Sequence, residues 1–329
     1  MQIALSTSQC ATAQNEVVVS QVQAALSSCK TKPALAKIDQ ALLSNPKDAR
    51  LHYWRARCLE QMRDLDGVMK ELKIALSLKP DYADAYLLQA KGYFYMSELD
   101  VGKDYSKVGL TSLNKAILLD PKCADAYDYR GTWMLENLKP NQAVQDFNKA
   151  IELNPKMPGY HRHRALALNS IGERHQALDD LIVLSKMLPA QYENWLRLSE
   201  QYESLKMYKQ ARECLDKAIA IKPHKLDQVQ KRAIFFMKLG QYNEAKLDLD
   251  KLIKASEMDD ELFNMRGEAN YQLKQYDLAL SDFNQAIKLH PELGKNYLDR
   301  ARLYKAMHKD NLAKLDEAQA NRLSKKSVP

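Results

Sequence analysis

The chain has 329 residues, with 49 Lys and Arg against 42 Asp and Glu, and its net charge of +7 is too mild to indicate nucleic acid by itself. With 46% apolar and 28% charged residues but only 10 Gly and 11 Pro, the composition is that of an almost wholly helical protein. Its five cysteines (Cys10, Cys29, Cys58, Cys123 and Cys214) are scattered without a C-x-x-C pair, which argues against a disulfide framework or zinc site and suits free thiols in a reducing, cytoplasmic compartment; no run of about 18 apolar residues offers a membrane span.

Along the chain, residues 1–14 are rich in Ser, Thr, Gln and Ala and read as a disordered tail. Ala11-Thr12-Ala13 has the small-residue character of an export cleavage site, but only Ile3-Ala4-Leu5 precedes it where an apolar segment is required. The alternative reading is the remnant of an export signal. No N-x-S/T sequon supports a glycosylated secretory protein.

From residue 15 the sequence repeats. Pro46, Pro80, Pro121, Pro155, Pro189, Pro223 and Pro291 are spaced by 34, 41, 34, 34, 34 and 68 residues. The phrases ending on them are alike: ALLSNP, ALSLKP, AILLDP, AIELNP, AIAIKP, AIKLHP. Apolar residues recur at helical spacing in each half of a repeat, and Gly or polar clusters such as Leu239-Gly240-Gln241 break the halves. The units are 15–48, 49–82, 83–123, 124–157, 158–191, 192–225, 226–259, 260–293 and 294–327. The third is seven residues too long, with the excess between about Ser97 and Ser106. Seven residues approximate two helical turns, so this segment extends a helix or forms a longer loop on one face. In the ninth unit Glu317 and Lys325 replace an apolar residue and proline, which suits a solvated helix over 310–325.

Two columns of small residues run through the units. One holds Ala56, Ala90, Gly131, Ala165, Ser199, Ala233, Gly267 and Ala301; the other holds Ala34, Val68, Gly109, Ala143, Ala177, Ala211, Ala245, Ala279 and Ala313. Small residues at a fixed period mark the places where helices cross closely. Between them lie aromatic residues (Tyr86, Tyr127, Trp195, Phe263, Tyr297) and a Leu/Phe column (Leu72, Leu113, Phe147, Leu181, Leu215, Leu249, Phe283). This 34-residue pattern, clearest over Ala126–Pro155, resembles the tetratricopeptide repeat family over residues 15–327. The resemblance implies an all-α, right-handed superhelical solenoid of nine antiparallel helix hairpins in one domain. It also implies protein or peptide binding in a concave groove.

Six units carry Arg before the first small column, and each has an acid sixteen residues later: Arg55/Glu71, Arg130/Asp146, Arg164/Asp180, Arg232/Asp248, Arg266/Asp282 and Arg300/Asp316. Where Arg is replaced by Gln21, Gln89 or Leu198, the partner is Lys37, Ser112 or Cys214. Columns that change together are expected to pair across the two helices of a repeat, the guanidinium forking onto the carboxylate while partly buried. These charges are structural and do not form a binding surface.

No enzyme constellation is found. G-x-x-x-x-G-K-S/T, G-x-G-x-x-G, G-x-S-x-G and H-E-x-x-H are all absent. His161 and His163 diverge by about 200° on a helix, so they make no metal pair. Asp64-Leu65-Asp66-Gly67 is too short for a calcium loop and reads as an inter-helix turn. No cofactor or metal is expected, and no catalytic residue is assigned.

If first helices line the groove, as the resemblance implies, units two to four present an aromatic and aliphatic cluster. Tyr53, Trp54, Arg57, Leu87, Leu88, Lys91, Phe94, Tyr95 and Tyr129 are the expected partner-binding residues. Acids and bases alternate along the groove, which does not suit nucleic acid. The carboxylate-clamp positions of chaperone-binding members fall on Val19, Gln23, Trp54, Asp84 and Leu88, so capture of a chaperone tail does not fit. The expected function is a non-catalytic scaffold or adaptor. The alternative is a regulatory or targeting subunit of a larger assembly, such as an envelope or secretion complex, whose chemistry lies in another chain.

Overall fold

Leu-, Ala- and Lys-rich segments between polar turns form short helices, because each offers one apolar stripe and little that competes with the backbone ladder. A computed structural model describes the backbone over residues 2–99 and 105–326, and the side chains over 15–99 and 105–324. Eighteen α-helices and no strand occur among the described residues.

Two compact units divide the chain. The first, Met1–Met187, holds α1 Gln2–Ser27, α2 Thr31–Ser44, α3 Ala49–Gln61, α4 Leu65–Leu78, α5 Ala83–Leu99, α6 Ser106–Leu119, α7 Ala124–Glu136, α8 Pro140–Leu153, α9 Pro158–Ser170 and α10 Arg174–Met187. The second, Leu188–Pro329, holds α11 Tyr192–Ser204, α12 Tyr208–Ile221, α13 Leu226–Lys238, α14 Tyr242–Ala255, α15 Asp260–Gln272, α16 Tyr276–Leu289, α17 Gly294–Ala306 and α18 Asp310–Lys326. In each unit consecutive helices pack as hairpins, and each hairpin packs on the next. Where a disordered tail is expected over 1–14, the backbone from Gln2 on belongs to α1, and the side chains of 1–14 lie outside the described ones.

Inside the hairpins the turn is nearly constant. Cys29, Arg63, Leu138, Gly172, Lys206, Gly240, Lys274 and His308 occupy one repeat position and all have positive φ, from 56° to 85°. The next amide reaches back five residues, as in Asp64 N to Leu59 O at 3.0 Å and Glu173 N to Leu168 O at 2.9 Å. This left-handed closure satisfies the last carbonyls of the first helix. Glycine is the residue best suited to it, yet six of the eight are not glycine. Asp64 then caps α4, accepting from Gly67 N at 3.0 Å, so the Asp64–Gly67 segment is the expected turn.

The third repeat departs from this pattern. Its counterpart of that turn position is Ser97, which lies inside α5. Helix α5 has 17 residues, where α3 and α7 have 13. Part of the seven-residue excess therefore adds a helical turn, and 100–104 lie outside the described residues.

The small columns are fully buried, as at Ala56, Ala90, Ala143, Ala233 and Ala279. A methyl built on Gly131 would stand 2.8 Å from the Phe147 ring, and one on Gly267 would stand 2.7 Å from the Phe283 ring. In the second, sixth and seventh repeats that column holds Ala or Ser and the residue opposite is Leu: Ala56/Leu72, Ser199/Leu215 and Ala233/Leu249. Volume removed from one helix is thus returned by the other, as close packing requires.

Candidate functional site

Three first helices of the Met1–Met187 unit border a cavity of about 550 Å³. Glu60, Arg63, Leu65 and Val68 come from α3, its turn and α4; Leu88, Lys91, Gly92, Phe94, Tyr95 and Glu98 come from α5; Tyr129, Thr132, Trp133 and Glu136 come from α7. The extra turn of α5 places Glu98 at this wall, and Gly92 leaves part of the wall without a side chain. Phe94 is fixed from behind, since its ring occupies the space a methyl on Gly109 would need, 2.8 Å away.

Five of the nine expected binding residues line this cavity. Tyr95 and Tyr129 are exposed, Lys91 and Phe94 are half-buried, and Leu88 is 4% exposed and forms its floor. The other four are placed elsewhere. Tyr53 (6% exposed) packs with Ala56, Leu59 and Leu72, and Leu87 (8%) packs with Ala90, Leu113 and Ala126. Both belong to the core, because a first helix is covered on one side by its own hairpin and on another by the next. The idea that they anchor a partner is therefore corrected. Trp54 is half-buried against Tyr53 at 5.4 Å between ring centroids. Arg57 donates to the Tyr53 hydroxyl at 3.3 Å and pairs with Glu60 at 3.0 Å. Trp133 was not anticipated, since the same position in the adjacent repeats holds Gly92 and Ala167. Its indole N–H is buried without an acceptor among the described residues.

The cavity's charges are unevenly matched. The Lys91 ammonium sits 4.3 Å from the Tyr129 ring centroid, and Lys139 sits 5.7 Å from that of Trp133. Burial, and then the neighbouring Glu98 carboxylate, push the Glu136 carboxyl above its ordinary value. Neither Glu98 nor Glu136 has a basic partner among the described residues.

The six Arg residues approach their acids at 2.6–2.7 Å. Five fork onto both carboxylate oxygens: Arg130 onto Asp146, Arg164 onto Asp180, Arg232 onto Asp248, Arg266 onto Asp282 and Arg300 onto Asp316. Arg55 gives Glu71 one bond, and the other Glu71 oxygen holds buried His52 at 2.7 Å.

The guanidinium side of these pairs is half-buried, and the acid side lies deeper. Asp146 (6% exposed), Asp282 (4%) and Asp316 (6%) are buried outright, as are Glu71, Asp180 and Asp248. The reason is reach. The short acid side chain stays between the two helices of its hairpin, while the longer Arg enters from the rim with its stem covered and its head at the edge. These six acids are part of the core and offer nothing to a partner.

Each Arg also donates to a residue sixteen places earlier, in the preceding repeat: Asp39, Asn114, Asn148, Asp216, Asp250 or Asn284. That second tie was readable, because Gln89 and Leu198 have Lys73 and Ile182 at the same offset. Two of the three repeats without Arg keep a single hydrogen bond in place of the ion pair, Lys37 to Gln21 at 2.8 Å and Ser112 to Gln89 at 2.8 Å.

Buried His161 is held by Asp180 at 2.8 Å and by the Pro155 carbonyl at 3.1 Å; His52 meets Pro46 likewise, and the Trp195 indole donates to Pro189 at 2.9 Å. These rings therefore tie a first helix to the proline before it. His163 bonds instead to Asp128 at 2.7 Å, on α7. In the Leu188–Pro329 unit the first helices are laced together, by Glu200 with Lys231 at 2.7 Å, Glu203 with Lys238 at 2.5 Å, and Glu268 with Arg302. Among the described residues no group of three or more His, Cys, Asp or Glu is arranged to hold a metal, and no helix is long and apolar enough to cross a membrane.

Models of the tetratricopeptide repeat match residues 20–83, 192–225 and 260–293. The small glutamine-rich tetratricopeptide repeat-containing protein 2 of Mycosarcoma maydis is 36% identical over 81 residues, 25% of this chain and 23% of that protein. The human mitochondrial import receptor subunit TOM70 is 24% identical over 251 residues, 73% of this chain and 39% of its own length. The chain thus spans well under half of these curated relatives. Among solved structures, YrrB, described as a TPR protein with an unusual peptide-binding site, aligns with a TM-score of 0.48 and 21% identity, over 59% of this chain and 97% of that one.

Proposed function

The chain is a tetratricopeptide-repeat protein, and from that premise we propose that it is a non-catalytic interaction scaffold whose α3–α5–α7 cavity holds a segment of a protein partner. Chains of this fold are generally interaction modules. The observation that carries the reading is the cavity itself. Three successive first helices border a hollow of about 550 Å³, with Tyr95 and Tyr129 exposed at its wall. A concavity of this size takes several side chains, and exposed aromatic rings are the usual anchors of binding energy. The described cysteines are all free thiols, which suits the cytoplasm.

The test is a Tyr95→Ala/Tyr129→Ala variant, whose two side chains are exposed enough to be removed without opening the core. A partner captured by the wild-type chain, purified and re-bound in solution, should lose about tenfold or more in affinity for the variant. Unchanged affinity at equal thermal stability would rule the cavity out. A second reading, a subunit of a larger assembly, is favoured by the likeness to an import receptor subunit over 73% of the chain. Co-purification of the chain in a stoichiometric complex that survives the tyrosine variant would favour it.

A further inference from the structure

The cavity carries the same short arrangement twice. On α5, Tyr95 is followed three residues later by Glu98; on α7, Trp133 is followed three residues later by Glu136. Three residues along a helix is one face, so each ring stands beside its own carboxylate. The two helices are those of neighbouring repeats, and all four side chains line the cavity.

The charges of the cavity are Glu60, Arg63, Lys91, Glu98 and Glu136. Glu60 is taken by Arg57 at 3.0 Å, and the Lys91 ammonium is settled over the Tyr129 ring. Arg63 sits exposed on the turn after α3. Glu98 and Glu136 remain, both on the cavity wall, and burial followed by the Glu98 charge holds the Glu136 carboxyl above its ordinary value. Arg63 and Lys91 line the cavity and Lys139 lies 5.7 Å from the Trp133 ring centroid, but neither Glu98 nor Glu136 is paired with a cation among the described residues, and two such like charges beside aromatic rings are complementary to a long basic side chain. Its stem would cover the rings while its head lies between the carboxylates.

Resting on the scaffold reading above, we propose that the cavity selects a lysine or arginine of the partner segment, seated between Glu98 and Glu136 and against Tyr95 and Trp133. An acidic segment is disfavoured there by like charge, and a neutral one leaves both carboxylates unmatched.

Four fluorescein-labelled nonapeptide pools, randomised except for a central Lys, Arg, Gln or Glu, are titrated with the full chain at neutral pH and low salt. The Lys and Arg pools should bind about fivefold or more tighter than the Gln pool, the scale of a half-exposed charge pair with ring contact. In Glu98→Gln/Glu136→Gln the preference should vanish while Gln-pool affinity is kept. It should also fade as pH falls and Glu136 takes up its proton. Equal binding of all pools, tighter binding of the Glu pool, or a preference that survives the double variant would overturn the selection. If the pools bind equally and Tyr95→Ala/Tyr129→Ala abolishes binding, the scaffold reading stands and the basic selectivity fails. If no pool binds, both fail.

Discussion

Arg232 reaches forward to Asp248 and back to Asp216, both at 2.5–2.7 Å. Asp248 is 1% exposed and is held by both bonds of that guanidinium, with the exposed Lys251 at 3.6 Å. Arg232→Leu alone should cost about 2–4 kcal/mol in urea unfolding, because it strands a buried carboxylate. Arg232→Leu/Asp248→Cys copies the solution of the sixth repeat, Leu198 with Cys214, and should recover most of the loss. A double variant no more stable than the single would show that the pair contributes through packing alone. Gly131 gives a second residue-scale test. Gly131→Ala should cost about 1–3 kcal/mol by overpacking against Phe147, and Gly131→Ala/Phe147→Leu should cost less than the two single changes summed. Both couplings are legible in the sequence because one repeat displays the alternative to another. The depth of the acids was not legible: spacing pairs Asp146, Asp282 and Asp316 with their Arg partners but does not say which member of a pair is shut away from water.

At the scale of the element, hairpin boundaries follow from periodicity, proline and polar turns, and two helices depart from those signals: α1 begins at Gln2, and α5 runs on to Leu99. Two things were not legible. The face a first helix shows to solvent is narrower than its spacing suggests, which is why Tyr53 and Leu87 are core. The turn's left-handed residue was also hidden, since only Gly172 and Gly240 advertise it. Leu138 holds that position with 89% of its surface exposed, so it contributes backbone strain and little packing. Leu138→Gly should therefore raise stability by about 0.5–1 kcal/mol. Gly172→Ala, which meets nothing within 4 Å, should lower it by about 1 kcal/mol through φ alone. Denaturation midpoints of both variants check the pair, and a loss on Leu138→Gly would show that the turn is not strained.

At the scale of the whole molecule, helices within each of the two units touch their neighbours in sequence, with a few contacts to the first helix of the next hairpin. Stability in such an array is a sum of hairpins and of the interfaces between them. Removing 294–329 should therefore leave helical signal per residue unchanged while the urea midpoint falls. Global loss of helicity would show that the contacts are not local. The backward bond of each Arg gives this modularity a rule of succession. The Arg–acid and Gly–Phe or Ala–Leu pairs travel inside one 34-residue module, but the Asp or Asn that receives the Arg belongs to the module before it. A duplicated or transplanted repeat keeps its own pairs wherever it lands. It joins cleanly only behind a predecessor that ends with that amide or carboxylate, so gene duplications, or an engineer lengthening the array, can copy in tandem the repeats that carry both the Arg and Asn148, Asp250 or Asn284, but cannot insert an Arg-bearing repeat behind Lys73 or Ile182.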